Sequence, residues 1–144
     1  MSAEALQNYG MMCIGAVRIV DGRFTVDLKD QRAGEFEKCI YAFVIGGEIL
    51  RVGSSKGKLK TRLRAWQNDV SNALLERSFR TPAAEAAIWK AALEEHGSGL
   101  LFARAGTVAH TPVGEFNLYM LEESALIGRY SPRCCNDTAR HRIQ

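Results

Sequence analysis

The sequence predicts an α+β domain in which a small antiparallel sheet is flanked by helices. Three observations predict it. Two apolar, β-branched stretches are each folded back on themselves at a turn signal, Asp21-Gly22 in the first and Gly46-Gly47 in the second. Helical periodicity is confined to separate blocks, near 59–75, 83–96 and 114–130. The chain has 144 residues, no internal repeat and no linker-like run, which is the size and texture of a single domain spanning 1–144.

Taken in order, residues 1–10 read as loose or as the start of a short helix. Met12 to Val20 carries Ile14, Val17, Ile19 and Val20 and reads as a strand. After Asp21-Gly22, Phe24, Val26 and Leu28 alternate with Thr25 and Asp27, which gives the return strand of an N-terminal hairpin. Asp30 to Lys38 is a polar connection. Ile40 to Ile45 and Glu48 to Gly53 flank Gly46-Gly47 as a second hairpin. The Gly53-Ser54-Ser55-Lys56-Gly57 loop then feeds a helix. Its apolar residues Leu59, Leu63, Trp66, Val70, Ala73 and Leu74 fall at spacings of four, three, four, three and one. Thr81-Pro82 supplies a cap and a first-turn proline for a further helix, Ala83 to His96, closed by Gly97. Leu100 to Arg104 is a short strand, 105–113 a loop, and Gly114 to Tyr130 an apolar-rich helix stopped by Pro132.

Composition narrows the class. A hydrophobic fraction of 47% and a charged fraction of 24% are ordinary for a globular domain. No run approaches the ~20 apolar residues needed to span a bilayer. Met1-Ser2-Ala3-Glu4 opens without a basic segment and apolar run, so a cytoplasmic location and no membrane partner are expected. The four cysteines contain no C-x-x-C pair, and Cys134, Cys135 and His141 have no recognisable metal spacing. They read as buried or incidental thiols. The net charge is only +3, but Arg51, Lys56, Lys58, Lys60, Arg62, Arg64, Arg77 and Arg80 are opposed within their stretch by Asp69 and Glu76 alone. Such a block suggests a phosphate-facing surface, although a solvated helix face has the same composition.

The residues that carry chemistry come from distant parts of the chain. The second hairpin presents Tyr41 and Arg51, the following helix Arg62, and a much later helix Glu123. Phosphodiester hydrolysis needs a proton acceptor for the attacking water, positive charge on the phosphorane and a metal at the leaving oxygen. A phenol, guanidinium groups and one carboxylate match those needs, and a single hard ligand suits Mg²⁺ or Mn²⁺. A nucleotide-binding P-loop is excluded, because only three residues separate Gly53 from Gly57-Lys58 and Leu59 stands where Ser or Thr is required.

The order of these elements resembles the GIY-YIG nuclease superfamily. Where the family has Gly-Ile-Tyr the chain has Cys39-Ile40-Tyr41, and for Tyr-Ile-Gly it has Arg51-Val52-Gly53. The family helix Leu-x-x-Arg-Leu corresponds to Leu59-Lys60-Thr61-Arg62-Leu63, and Glu-x-x-Leu-Ile to Glu123-Ser124-Ala125-Leu126-Ile127. A Pro and then an Asn follow in the family, here Pro132 and Asn136, so the likeness covers about residues 38–136. It departs at Cys39 for Gly, at Arg51 for the second Tyr and in a Pro-to-Asn interval one residue longer than usual. The interval from Arg62 to Glu123 also holds an inserted helix at about 82–97, a layout similar to the T-even phage type and to the small restriction enzymes of the family.

The resemblance implies a three-stranded antiparallel sheet and metal-dependent endonuclease activity on duplex DNA, by a homo-oligomer (dimer or tetramer) whose insertion grips the DNA. It implies Glu123 as metal ligand, with Glu122 as the alternative, since neighbours on a helix point about 100° apart. Arg62 would stabilise the phosphorane, and Tyr41 would act as general base or water-positioner. Arg51 is counted with this catalytic group and, with Ser54 and Lys58, as a phosphate contact. Lys56, Lys60, Arg64 and Lys90 complete the expected DNA surface, with Gly53 and Asn136 in support. Trp66 and Trp89 are assigned to the core, and His96 and His110 receive no catalytic role. The alternative is a catalytically altered or inactive DNA-binding module of the same fold, favoured by Arg51 in place of Tyr.

Overall fold

The computed structural model describes residues 2–75 and 83–135, so Thr81-Pro82, Arg77, Arg80 and Asn136 lie outside the described residues. The elements are α1 (Ser2–Asn8), β1 (Met12–Val20), β2 (Arg23–Leu28), a 3-10 turn (Gln31–Glu35), β3 (Cys39–Ile45) and β4 (Glu48–Ser55). These are followed by α2 (Leu59–Leu74), α3 (Ala83–His96), β5 (Gly99–Ala105), β6 (Val108–Thr111), β7 (Gly114–Asn117) and α4 (Tyr119–Tyr130). Both expected hairpin turns form with paired left-handed residues, φ 51° and 78° at Asp21-Gly22 and 61° and 81° at Gly46-Gly47. That geometry matches the strand twist.

The sheet has five antiparallel strands in the order β2-β1-β5-β3-β4, not the expected three. The difference lies in β5. It pairs with β1 on one side and β3 on the other, and so fuses the N-terminal hairpin to the motif hairpin. These pairings link residues tens of positions apart, which a local alternation pattern does not register. Gly99 permits the junction, since a Cβ there would stand 2.5 Å from Ile45 Cγ1.

A second correction concerns 105–118. The expected loop and first helical turns are instead the β6–β7 hairpin, a separate two-stranded sheet in register His110↔Glu115. Gly114, with φ 132°, takes a backbone conformation closed to most side chains and turns the hairpin. The helix starts only at Tyr119, whose N–H donates to Asn117 Oδ1 at 3.0 Å. An Asn side chain thus satisfies one of the free N–H groups of the new helix start.

Alternation along β3 divides the core in two. Cys39, Tyr41, Phe43 and Ile45 face α2 and α3, where Trp66, Trp89, Phe24 and Phe43 form an aromatic cluster with Phe43 stacked on Trp66 at 4.5 Å. Ile40, Ala42 and Val44 face α1 and α4, against Leu6, Leu126 and Ile127. Both tryptophans are therefore core. β4 is an edge strand, and residues 132–135 cover that edge. Cys134 N–H donates to the Leu50 carbonyl at 2.9 Å, and Cys135 Sγ lies 3.3 Å from both the N–H and the carbonyl of Val52. Such cover removes an edge otherwise open to another strand. Among the described residues no helix is long and apolar enough to cross a membrane.

Candidate active site

Ser54 is the in-register partner of Ile40, so its side chain emerges on the α4 face of the sheet. There its hydroxyl donates to Glu123 Oε1 at 2.9 Å, a contact bridging 69 residues of sequence. Glu123 is only 4% exposed, although it sits on a helix. A carboxylate removed that far from water needs hydrogen-bond donors or a cation. Glu122, the alternative ligand, is engaged elsewhere. It accepts from Arg104 Nη2 at 2.6 Å, from the Thr107 N–H at 2.8 Å and from the Thr107 hydroxyl at 2.7 Å. Burial works to raise its pKa, but the Arg104 and Thr107 bonds outweigh that and hold Glu122 below the usual carboxylate value. The helix geometry therefore assigns Glu122 to anchoring the β6–β7 hairpin and turns Glu123 to the motif strand.

A groove of about 620 Å³ opens beside Ser54. One wall is the end of β4 and the first turn of α2, with Lys56, Lys58, Thr61 and Arg62; the other is Tyr119 and Met120 from the first turn of α4. Arg62 is exposed and has no ion pair among the described residues, and the same holds for Lys56. The expected basic surface is not continuous, however. Lys58 and Lys60 both bind Glu35, at 3.0 and 2.6 Å, which keeps Lys58 protonated to higher pH than usual. Lys60 and Arg64 line a different depression with Asp27 and Gln67, because residues two apart on a helix point about 200° apart. Lys90 is exposed on α3, which packs against α2 on the other face of the sheet from α4. Of the expected DNA contacts, Ser54, Lys56 and Lys58 share the groove with Arg62.

Tyr41 and Arg51 belong to the opposite face. Tyr41 is fully buried, and Gly53, its partner across the strands, makes room for the ring: a Cβ on Gly53 would stand 2.4 Å from Tyr41 Cζ and 2.5 Å from its hydroxyl. The phenol lies beside the Arg51 guanidinium, yet its oxygen has no hydrogen bond of ordinary geometry among the described residues, and neither does Arg51 Nε. Arg51 is turned inward. Its side chain is 17% exposed, donates through Nη1 to the Cys134 carbonyl at 2.9 Å, and stands 3.8 Å from Glu85 Oε2. It also lies over the Trp66 ring, 6.0 Å from its centroid. Burial works to lower its pKa, but Tyr41, Cys135 and Glu85 raise it on balance. Arg51 thus holds the strand edge to α3 and to the 132–135 segment and does not line the groove.

Sequence reasoning missed Glu85, Tyr119 and Met120. Glu85 lies in the first turn of α3, and its 6% exposure and its place 3.8 Å from Arg51 mark it as the counter-charge of that residue. Tyr119 and Met120 were hidden by the misplaced helix start. Among the described residues no three His, Cys, Asp or Glu side chains gather as a metal site. A single buried carboxylate beside a hydroxyl and an open groove fits a hard cation that keeps most of its water shell, and does not fit zinc. Burial raises the thiol pKa of Cys39 to about 11 and pushes those of Cys134 and Cys135 up as well, so these three stay protonated.

The fold matches two solved nucleases. Bacteriophage T4 EndoII, solved as a Glu-to-Ala variant, superposes with a TM-score of 0.63 at 21% identity, over 92% of this chain and 96% of that one. The chain has the EndoII fold. Restriction endonuclease Hpy188I, solved with product DNA, gives a TM-score of 0.51 at 10% identity, over 95% of this chain and 87% of that one. No sequence-family model matches the chain. No curated protein matches it either.

Proposed function

We propose that this protein is a metal-dependent endonuclease that hydrolyses phosphodiester bonds in duplex DNA, in the manner of phage or restriction enzymes. The observation that carries the reading is the Ser54–Glu123 bond, which ties a buried carboxylate to a serine that lines the groove with Lys56 and Arg62. The EndoII fold and the product DNA bound by Hpy188I support it. Glu123 would hold Mg²⁺ or Mn²⁺, which when bound supplies charge for the leaving oxygen. Ser54 orients that carboxylate by donating its hydroxyl hydrogen. Arg62 faces the phosphate and offsets the charge that develops on its oxygens. Lys56 and Lys58 hold the flanking backbone. Tyr41, as proton acceptor, would need its hydroxyl uncovered, since its ring is buried against Gly53. The reading also carries a homo-oligomer, dimer or tetramer, acting in the cytoplasm.

The test is nicking of supercoiled plasmid with Mg²⁺ or Mn²⁺. Cleavage is expected from the natural sequence and not from Glu123→Gln, which keeps an acceptor for Ser54, or from Arg62→Ala. The buried Tyr41 and the engaged Arg51 favour a second reading, a DNA-binding module that does not cut. Binding of duplex DNA with no nicking in either metal would select it, and absence of binding would defeat both. Sedimentation of the same preparation reads the oligomer.

A further inference from the structure

The groove has two chemically different walls. On the β4–α2 side stand Lys56 and Arg62, cationic and without ion pairs among the described residues. On the α4 side stand Tyr119 and Met120, and Met120 is 58% exposed. α2 and α4 pack on opposite faces of the sheet, so their first turns form separate walls with Ser54 between them. A purely phosphate-binding surface gains nothing from an aromatic ring and an exposed thioether. A nucleotide has both an anionic and an apolar side.

The backbone that carries the apolar wall is also held in place before anything binds. The Tyr119 N–H is held by Asn117, and a Cβ on Gly106 would come within 2.6 Å of Tyr119 Cβ. Leu118 N–H donates to the Thr107 carbonyl at 2.8 Å, and Thr107 donates twice to Glu122. The base of the β6–β7 hairpin, Gly106 and the start of α4 are thereby one braced unit. A backbone ordered in advance loses little freedom on binding.

We propose that Tyr119 and Met120 form a nucleoside-contact wall, against which the deoxyribose and base of one strand pack while its phosphates lie on Lys56 and Arg62. This rests on the DNA reading of the groove given above, and it adds a contribution to affinity that salt does not screen. Phosphate contacts release counterions, so each one lost lowers the slope of log K against log salt by about 0.9 on duplex DNA. Stacking and apolar contacts leave that slope unchanged.

The experiment is fluorescence anisotropy of a labelled duplex oligonucleotide at several salt concentrations. Ca²⁺ replaces Mg²⁺ to prevent cutting, and circular dichroism confirms that each variant is folded. Tyr119→Leu and Met120→Ala should weaken binding about tenfold and about fivefold at every salt concentration, with the slope retained. Arg62→Ala should weaken binding and flatten the slope. Leu121→Ala, 68% exposed on the same helix and outside the groove, is the unchanged control. Natural affinity in both wall variants overturns the wall while leaving the DNA reading intact, and a flattened slope in them overturns its apolar character. Failure of the unaltered protein to bind the duplex removes the DNA reading itself, and this inference with it.

Discussion

Glu85→Gln is the sharpest probe of how α3 is tied to β4. The substitution keeps an acceptor for Trp89 Nε1–H, now 3.2 Å from Glu85 Oε2, and removes only the charge facing Arg51 at 3.8 Å. The two side chains are 7% and 17% exposed, so the guanidinium left behind is poorly hydrated. Removing one partner of a buried pair typically costs about 3–5 kcal/mol. Arg51 keeps the Cys134 carbonyl and the Trp66 ring, and 3.8 Å is not a close contact, which places the loss near the lower end, about 3 kcal/mol. For a domain of this size that lowers Tm by roughly 10 °C. Urea denaturation measures it, in a cycle with Arg51→Met and the double variant. The pair argument requires the double variant to be more stable than the two single losses summed, by about 1–3 kcal/mol. A Glu85→Gln loss below about 0.5 kcal/mol, or simple additivity in the cycle, refutes it.

Gly53→Ala drives a methyl group into Tyr41 Cζ, where only 2.4 Å is available, and should cost about 1–3 kcal/mol in chemical denaturation. The paired variant Gly53→Ala/Tyr41→Leu should recover part of that loss. Arg62→Ala and Arg64→Ala carry the same charge change but face different depressions, so the first should weaken DNA binding by much more than the second in the anisotropy assay. Glu122 has a folded-state pKa below its ordinary 4.5, so its contribution to stability is present above that value and fades as pH falls through the folded pKa. The stability difference between the natural sequence and Glu122→Gln, followed by urea titration from pH 7 to pH 3, should therefore narrow below about pH 4.5.

Much of the fold was legible because local chemistry enforces it. Asp21-Gly22 and Gly46-Gly47 fix their turns through backbone conformations few residues adopt, and the strands and α2 boundaries follow from simple periodicity. What failed was non-local. β5 looked like an isolated strand because its partners, β1 and β3, are distant in sequence. The β6–β7 hairpin was concealed because Phe116 and Leu118 suit a helix as well as a strand, and Gly114 was taken for a helix start. Part of the candidate site was legible in the same way. Ser54, Arg62 and Glu123 could be named from motif order, and the structure brings Ser54 into contact with Glu123. The sequence did not show that Tyr41 and Arg51 face the other side of the sheet. That follows from register, Tyr41↔Gly53 and Phe43↔Arg51 on one face and Ile40↔Ser54 on the other, and a single-residue step decides it.

Arg51 and Glu85 are best understood together. Arg51 places a charge in the layer beneath α2 and α3, where an uncompensated guanidinium would be strongly unfavourable. Its counter-charge comes from α3, the helix that follows α2, and its second partner from the carbonyl of Cys134, in the segment that covers β4. One side chain thus joins α3, β4 and the chain segment after α4. Replacing Arg51 alone would free a buried carboxylate, and replacing Glu85 alone would free a buried guanidinium. Arg51 is therefore sustained by Glu85 of α3, and any variant that places a tyrosine at position 51 must also neutralise Glu85.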